Sequence, residues 1–138
     1  MWLLFSILSA VTAALMTIAA KIGLKNIDPT LATGIRSVIM CLFMILVVIF
    51  TDKMRGLAHV DRRAFVIIAI SAIFGALSWL FYFLALRSGI TSKVAAIDRL
   101  SLIFVIVFSI FALSEKTSWK LVTGGILATV GITLIALA

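Results

Sequence analysis

The sequence predicts an all-α integral membrane protein with five transmembrane helices. A helix needs about 20 largely apolar residues to cross the hydrocarbon core of a bilayer, and apolar runs of that length fill almost the whole chain. The composition agrees, because 64% of the 138 residues are hydrophobic and the mean hydropathy is +1.34. The predicted helices, which form a single domain over residues 1–138, cover about 2–25, 31–51, 64–86, 92–113 and 119–138.

The first predicted helix resembles a secretory signal in being N-terminal and apolar. It has no basic leader, however, and its apolar run is longer than that of a signal peptide, so we interpret it as a membrane helix. Small or polar residues recur along one of its faces with helical spacing, and this face ends at Lys21. Small side chains permit either a close helix contact or an open lumen, and the sequence leaves both possible.

The second helix has a well-defined start and carries a charge inside the membrane. Asp28 precedes Pro29, which predicts an N-cap followed by proline at the first helical position. Arg36 follows about two turns later. Cys41 is the single cysteine and His59 the single histidine, so the chain predicts no intrachain disulfide and no metal site. We interpret residues 52–63, which follow this helix, as a solvated connector.

The third helix carries a polar stripe. Ser71, Gly75, Ser78, Trp79 and Tyr82 follow one another at three- or four-residue steps, or side by side, on one face. Trp79 lies well inside the span, away from the interfaces where membrane tryptophans concentrate. The stripe therefore predicts either a wall of a binding cavity, with Ser78, Trp79 and Tyr82 touching the ligand, or a packed helix contact.

The ends of the last two helices follow from their flanking residues. Gly89 predicts the end of the third helix, and Thr91 or Ser92 an N-cap of the fourth. Thr117 or Ser118 similarly predicts the cap of the fifth helix. Within the fifth helix, Gly124 and Ala128 have the small-xxx-small spacing that lets two helices approach closely, which makes this helix a candidate dimer contact.

Charges at matching depth predict a polar site. Arg36 and Asp98 each lie about six residues inside helices that start on the same face, hence roughly 9 Å deep, with Lys21 and Arg99 at nearby levels. A charge in the membrane is normally paired, turned inward or extended to the interface, so we expect Asp98 to pair with Arg36 or, as the next candidate, with Lys21. The excess of positive charge favours an anionic or zwitterionic ligand such as a carboxylate. Alternatively, Arg36 and Asp98 only clamp two helices while Lys21 and Arg99 reach the interface.

Other functional classes are disfavoured. The sequence contains no Ser, His and acid set, no metal-ligand spacing and no phosphate loop, so we expect neither an enzyme nor a cofactor. The net charge of +7 does not imply nucleic acid, because the basic residues lie mostly at helix ends, where they meet lipid headgroups.

Basic residues are nearly balanced between the two membrane faces. Six Lys and Arg residues lie on the face of the N-terminus and four on the opposite face, and the two intramembrane arginines, Arg36 and Arg99, make the second count equal to the first. The positive-inside rule therefore favours a cytoplasmic N-terminus only if these arginines are left out.

The run from Phe74 to Lys116, FGALSWLFYFLALRSGITSKVAAIDRLSLIFVIVFSIFALSEK, together with the glycine-rich GGILATVGITLIALA that follows, resembles an EamA domain of the drug/metabolite transporter superfamily. Arg36 stands where these domains often carry an arginine. Two positions depart from the pattern: Ser114 replaces a glycine before Glu115, and Leu102 replaces a proline that often follows serine. The missing proline predicts a straighter fourth helix.

The resemblance implies the five-helix bacterial and archaeal branch, and so a half-unit of an inverted-repeat transporter in a prokaryotic inner membrane. It implies a secondary carrier of a small organic metabolite, working by alternating access as a homodimer. A unit built like the inverted two-domain relatives needs two five-helix copies in opposite orientations, so we expect that homodimer to be antiparallel, with the chain inserting both ways. A parallel dimer is the main alternative, which the four basic residues of the connector 52–63 favour. The alternative is a noncatalytic membrane subunit that assembles with another membrane or lipid-handling complex. The acid in the first helix of the related four-helix multidrug carriers is missing here, which disfavours an identical mechanism.

Overall fold

The computed structural model describes residues 1–114 and 118–138, which form helices joined by short turns. The helices are α1 (Trp2–Gly23), α2 (Pro29–Phe50), α3 (Arg62–Ser88), α4 (Thr91–Asp98), α5 (Ser101–Leu113) and α6 (Trp119–Leu137). A 3₁₀ helix, Met54–His59, lies in the connector between α2 and α3. Glu115, Lys116 and Thr117, which enter the predicted acidic turn, charge balance and helix cap, lie outside the described residues.

The all-α membrane class is confirmed. Five segments of the described chain are long and apolar enough to cross a membrane, the fourth being α4 and α5 together. At most 6% of the residues in the apolar window of each span are buried within the chain. Such exposure of apolar side chains suits helices that face lipid.

The start of α2 agrees with the sequence prediction. The Asp28 carboxylate accepts hydrogen bonds from the backbone N–H groups of Thr30 (2.9 Å) and Leu31 (3.2 Å), and Pro29 occupies the first helical position. These bonds, first of all that from Leu31, lower the pKa of Asp28 below its ordinary value. The N-terminal amides of α2 are thus satisfied as the sequence requires.

The caps predicted for the later helices are wrong for α4 and only partly matched for α6. Ile90 precedes α4 and no side chain caps that helix, because Thr91 already belongs to its first turn. Ser118 stands at the N-cap of α6, but its side chain makes no capping hydrogen bond. The end of α3 at Ser88, directly before Gly89, matches the prediction.

The fourth span is broken, which corrects the prediction of one straight helix over 92–113. The N–H of Arg99 donates to the carbonyl of Ala96, and that of Leu102 to the carbonyl of Arg99, both at 3.0 Å. These i→i+3 bonds tighten the backbone into a 3₁₀ turn, which separates α4 from α5. The break arises although Leu102 is not proline, so a missing proline did not make this span continuous.

The chain divides into two compact units. The first contains residues 1–18 and 88–138, and in it α6 packs on α4 and α5. Gly125 of α6 is buried, and a Cβ atom at this position would lie 3.4 Å from Cδ1 of Ile106. Gly124 faces open space, so the described packing uses the neighbouring face and leaves the predicted dimer contact at Gly124 and Ala128 untested.

The second unit, residues 19–87, contains the last turn of α1, all of α2 and nearly all of α3. Its buried residues gather where α1 ends, α2 begins and α3 ends: Leu24, Pro29, Thr33, Phe83 and Leu86. Leu86 is fully buried and Phe83 is only 3% exposed. We call this cluster the packed end of the second unit.

Candidate functional site

Arg36 of α2 lies against two aromatic rings of α3. Its guanidinium carbon, Cζ, is 4.2 Å from the centre of the Trp79 ring and 5.4 Å from the centre of the Phe83 ring. Trp79 and Phe83 are four residues apart, so they share one face of α3. The three side chains form a stack at the inner edge of the packed end.

This stack gives an arginine a favourable environment within the membrane. Arg36 lies seven residues after the start of α2 at Pro29, or about 10 Å along the helix axis. The ring quadrupole attracts the cation, and this attraction grows when water is excluded. Aromatic rings engage the face of a guanidinium, whereas a carboxylate is held through its N–H edge. The same arginine can therefore rest on Trp79 and bind an anion.

An open cavity of about 380 Å³ lies next to the stack, between the middle of α2 and the middle of α3, and six of its eight lining residues are exposed. Its α2 wall consists of Ser37, Met40, Cys41 and Met44, and its α3 wall of Ala72, Gly75, Ala76 and Trp79. A Cβ atom at Gly75 would meet no other atom within 4 Å. The small α3 side chains therefore leave the space that the longer α2 side chains do not fill.

Ser37 is oriented by the helix itself. Its hydroxyl group donates to the backbone carbonyl of Thr33 at 2.8 Å. The hydroxyl oxygen keeps lone pairs that can accept a further hydrogen bond. This side chain adds a small polar group at the end of the cavity that adjoins Arg36.

Lys21 belongs to the packed end. Its ammonium group donates to the backbone carbonyl of Leu86 at 2.6 Å, one of the last four carbonyls of α3, which have no partner within their own helix. A cation there also opposes the negative end of the helix dipole. Nearby, Arg87 and Asp28 form an exposed ion pair at 3.5 Å, which contributes little to stability.

The remaining predicted site residues take different positions. Trp79 lines the cavity, whereas Ser78 is exposed and Tyr82 is half-buried outside the described lining. Asp98 and Arg99 are exposed at the break between α4 and α5. They belong to the first unit and Arg36 to the second, so the pairing of Arg36 with Asp98 stays a prediction.

Sequence reasoning missed most of the cavity wall. Both walls follow the same helical spacing, since Ser37, Met40, Cys41 and Met44 stand at i, i+3, i+4 and i+7, as do the four lining residues of α3. The same spacing on two consecutive helices was the signal in the sequence that could have predicted the cavity. It is hard to see because methionine and alanine are also common on faces that contact lipid.

The comparisons with known proteins agree with the fold. The EamA-like transporter family matches residues 1–137. A Sinorhizobium sp. protein named as an uncharacterized transporter in the cobO 3′ region is 34% identical over 115 residues, which are 83% of this chain and 82% of that protein. No solved structure matches the chain. Because the family matches nearly the full length of the chain and the described chain has five apolar spans, this chain belongs to the EamA-like transporter family.

Proposed function

We propose that this protein is a secondary transporter of a small anionic or zwitterionic organic metabolite. The observation that carries the proposal is the cavity between α2 and α3, which adjoins the guanidinium of Arg36 through Trp79. Solute sites of secondary transporters lie near the middle of the bilayer, and both cavity walls come from the central parts of long membrane helices. Membership of a transporter family supports the same function.

The site residues have distinct roles in this proposal. Arg36 binds the negative group of the solute, Trp79 holds the guanidinium and forms one wall, and the small side chains of α3 make room for the solute body. The packed end closes the second unit beyond the stack. Transport then requires a second conformation, in which the cavity is reached from the other face of the membrane.

The proposed assembly is an antiparallel homodimer in a prokaryotic inner membrane. The nearly equal distribution of basic residues supports it, because neither orientation of the chain is strongly favoured. The low burial of every span supports assembly in general. Gly124 and Gly131 face open space on α6, which leaves room for a second helix.

Uptake into proteoliposomes made with the purified protein tests the transport function. The solutes are a panel of radiolabelled carboxylates and amino acids, and we expect at least one to accumulate above protein-free vesicles. Gly75→Leu should abolish this uptake because the leucine side chain fills the cavity. Gly34→Leu is the matched control, since Gly34 also faces open space but does not line the cavity. If the wild-type protein transports nothing and instead co-purifies with another membrane protein, it is a noncatalytic subunit.

Reporters fused to the C-terminus test the orientation. A reporter active in the cytoplasm and one active outside the membrane should both give signal in the antiparallel model. Added lysines on one face should drive the chain into one orientation and abolish uptake, and an oppositely biased copy should restore it. Signal on one side only, from active protein without a second chain, would contradict the antiparallel dimer.

A further inference from the structure

The cavity has an unusual chemical composition. Three of the four residues on its α2 wall carry sulfur: Met40, Cys41 and Met44. Thioethers are polarisable and flexible, and they make favourable contacts with aromatic rings. On the α3 side, Trp79 adds an aromatic surface, while Gly75 leaves open space opposite the sulfur atoms. We call this part of the cavity, between the sulfur-bearing side chains of α2 and Gly75 and Trp79 of α3, the slot. Its shape and chemistry suit a flat, polarisable group.

The charge lies at one end of this slot. None of the eight lining residues is charged, whereas the Arg36 guanidinium lies over the same Trp79 ring that forms part of the wall. The donors at this end come from Arg36, because the hydroxyl hydrogen of Ser37 is already given to the carbonyl of Thr33. A ligand in the slot therefore meets a cation at one end and apolar or sulfur-bearing side chains along its body.

We propose that the transported solute is a carboxylate whose body is a single aromatic ring, attached directly or through a short aliphatic spacer. The ring occupies the slot between Met40, Met44 and Gly75, and the carboxylate accepts hydrogen bonds from Arg36. This inference rests on the proposed transport function and names the substrate class of that site. A volume of about 380 Å³ lies at the low end of small-molecule pockets and is enough for a single ring.

The position of the charge also selects against amines. An ammonium group at the arginine end would meet a like charge, and the eight lining residues provide no carboxylate to receive it. The inference therefore narrows the solute from anionic or zwitterionic to anionic. A zwitterionic amino acid becomes one of the tested alternatives.

Cys41 supplies the test, because it is the single cysteine of the chain and lines the slot. In proteoliposomes, a small water-soluble methanethiosulfonate reagent should label Cys41, and 3-phenylpropionate should slow the labelling. At ten times the dissociation constant about a tenth of the sites stay open, so the rate should fall about tenfold. Acetate, 3-phenylpropanamide, phenethylamine and phenylalanine at the same concentration should leave it nearly unchanged.

Variants locate the effect at the arginine. Arg36→Gln should raise the concentration of 3-phenylpropionate needed for protection by about tenfold or more, because a charge-assisted hydrogen bond is lost. Arg63→Gln, at the start of α3, is the matched control and should behave as the wild type. Gly75→Leu should itself slow the labelling without any ligand.

Specific outcomes would overturn the inference. Equal protection by the neutral amide shows an apolar slot without anion selectivity, and stronger protection by phenylalanine shows a zwitterion site. If an apolar maleimide labels Cys41 and the water-soluble methanethiosulfonate reagent does not, the slot faces lipid. Protection by 3-phenylpropionate without transport of any carboxylate leaves this binding site standing and overturns the transport function. Uptake of another solute, with no protection of Cys41 by 3-phenylpropionate, leaves the transport function standing and overturns this binding site.

Discussion

The guanidinium of Arg36 lies 4.2 Å from the centre of the Trp79 ring, and this ring also forms part of the cavity wall. One aromatic side chain thus links a charge within the membrane to an open space. Contacts of this kind contribute about 2 kcal/mol or more when water is excluded. The position and orientation of Arg36 therefore depend on Trp79, and so does the shape of the cavity.

Replacing Trp79 should change solute selection more than it changes assembly. In Trp79→Ala, Arg36 loses the nearer of its two aromatic rings and the cavity widens, so we expect weaker and less selective solute binding by protein that still inserts. Competition between labelled solutes in proteoliposomes measures this change. Trp119→Ala is the control, because Trp119 is exposed at the start of α6. Loss of stable protein, with unchanged selectivity in what remains, would show that Trp79 serves packing alone.

A double-mutant cycle tests the predicted pairing of Arg36 with Asp98. Breaking an ion pair costs up to about 3 to 5 kcal/mol where assembly in the membrane buries it, because one charge is left alone. Arg36→Ala and Asp98→Asn should each reduce folded yield or transport, and the double variant should lose less than the two losses combined. Additive losses would remove the pairing, and they would leave Arg36 with its aromatic contacts.

These results show which parts of the structure the sequence could predict. The spans were predictable because lipid requires long apolar helices, and Arg36 was conspicuous because a charge is rare at its depth. Phe83 was not predictable as its partner, since an apolar ring on a membrane helix gives no signal of its own. The break at Arg99 was missed because neither proline nor glycine marks it. Its cause is a local change in backbone hydrogen bonding.

Lys21 should stabilise the packed end. In Lys21→Met the carbonyl of Leu86 loses the hydrogen bond from the ammonium group, and hydrogen bonds to charged groups are worth about 1.5–3 kcal/mol. We expect a lower midpoint of thermal unfolding in detergent. Lys25→Met, an exposed lysine on the same face of the membrane, is the control. Equal midpoints for the two variants would show that this bond contributes nothing measurable.

Acid should weaken the start of α2. The pKa of Asp28 is lower in the folded protein than its ordinary value of 3.8, chiefly because the N–H of Leu31 donates to the carboxylate. The resulting stability is fully present above the ordinary pKa and is lost as the pH falls through the lower folded value. Asp28→Asn keeps a capping oxygen but removes the charge, so it should reduce this acid dependence.

The unfolding midpoint, followed from about pH 6 down to about pH 2, checks the effect. Asp52→Asn is the matched control, because Asp52 is an exposed aspartate at the other end of α2. A wild-type acid profile in Asp28→Asn, with the Asp52→Asn profile also unchanged, would assign the loss of stability to other carboxylates.

The packed end is where the end of α1 and the end of α3 meet the start of α2 in the second unit. Leu24, Pro29 and Leu86 are buried at this end, while Met44 on the far side of the cavity lies fifteen residues beyond Pro29, or about 22 Å along the helix. At that distance a rotation of about 10° moves the helix by roughly 4 Å, close to the width of an aliphatic chain. In the transport cycle proposed above, the anchored end would serve as a fulcrum, and a small angular change about it would admit or expel a solute.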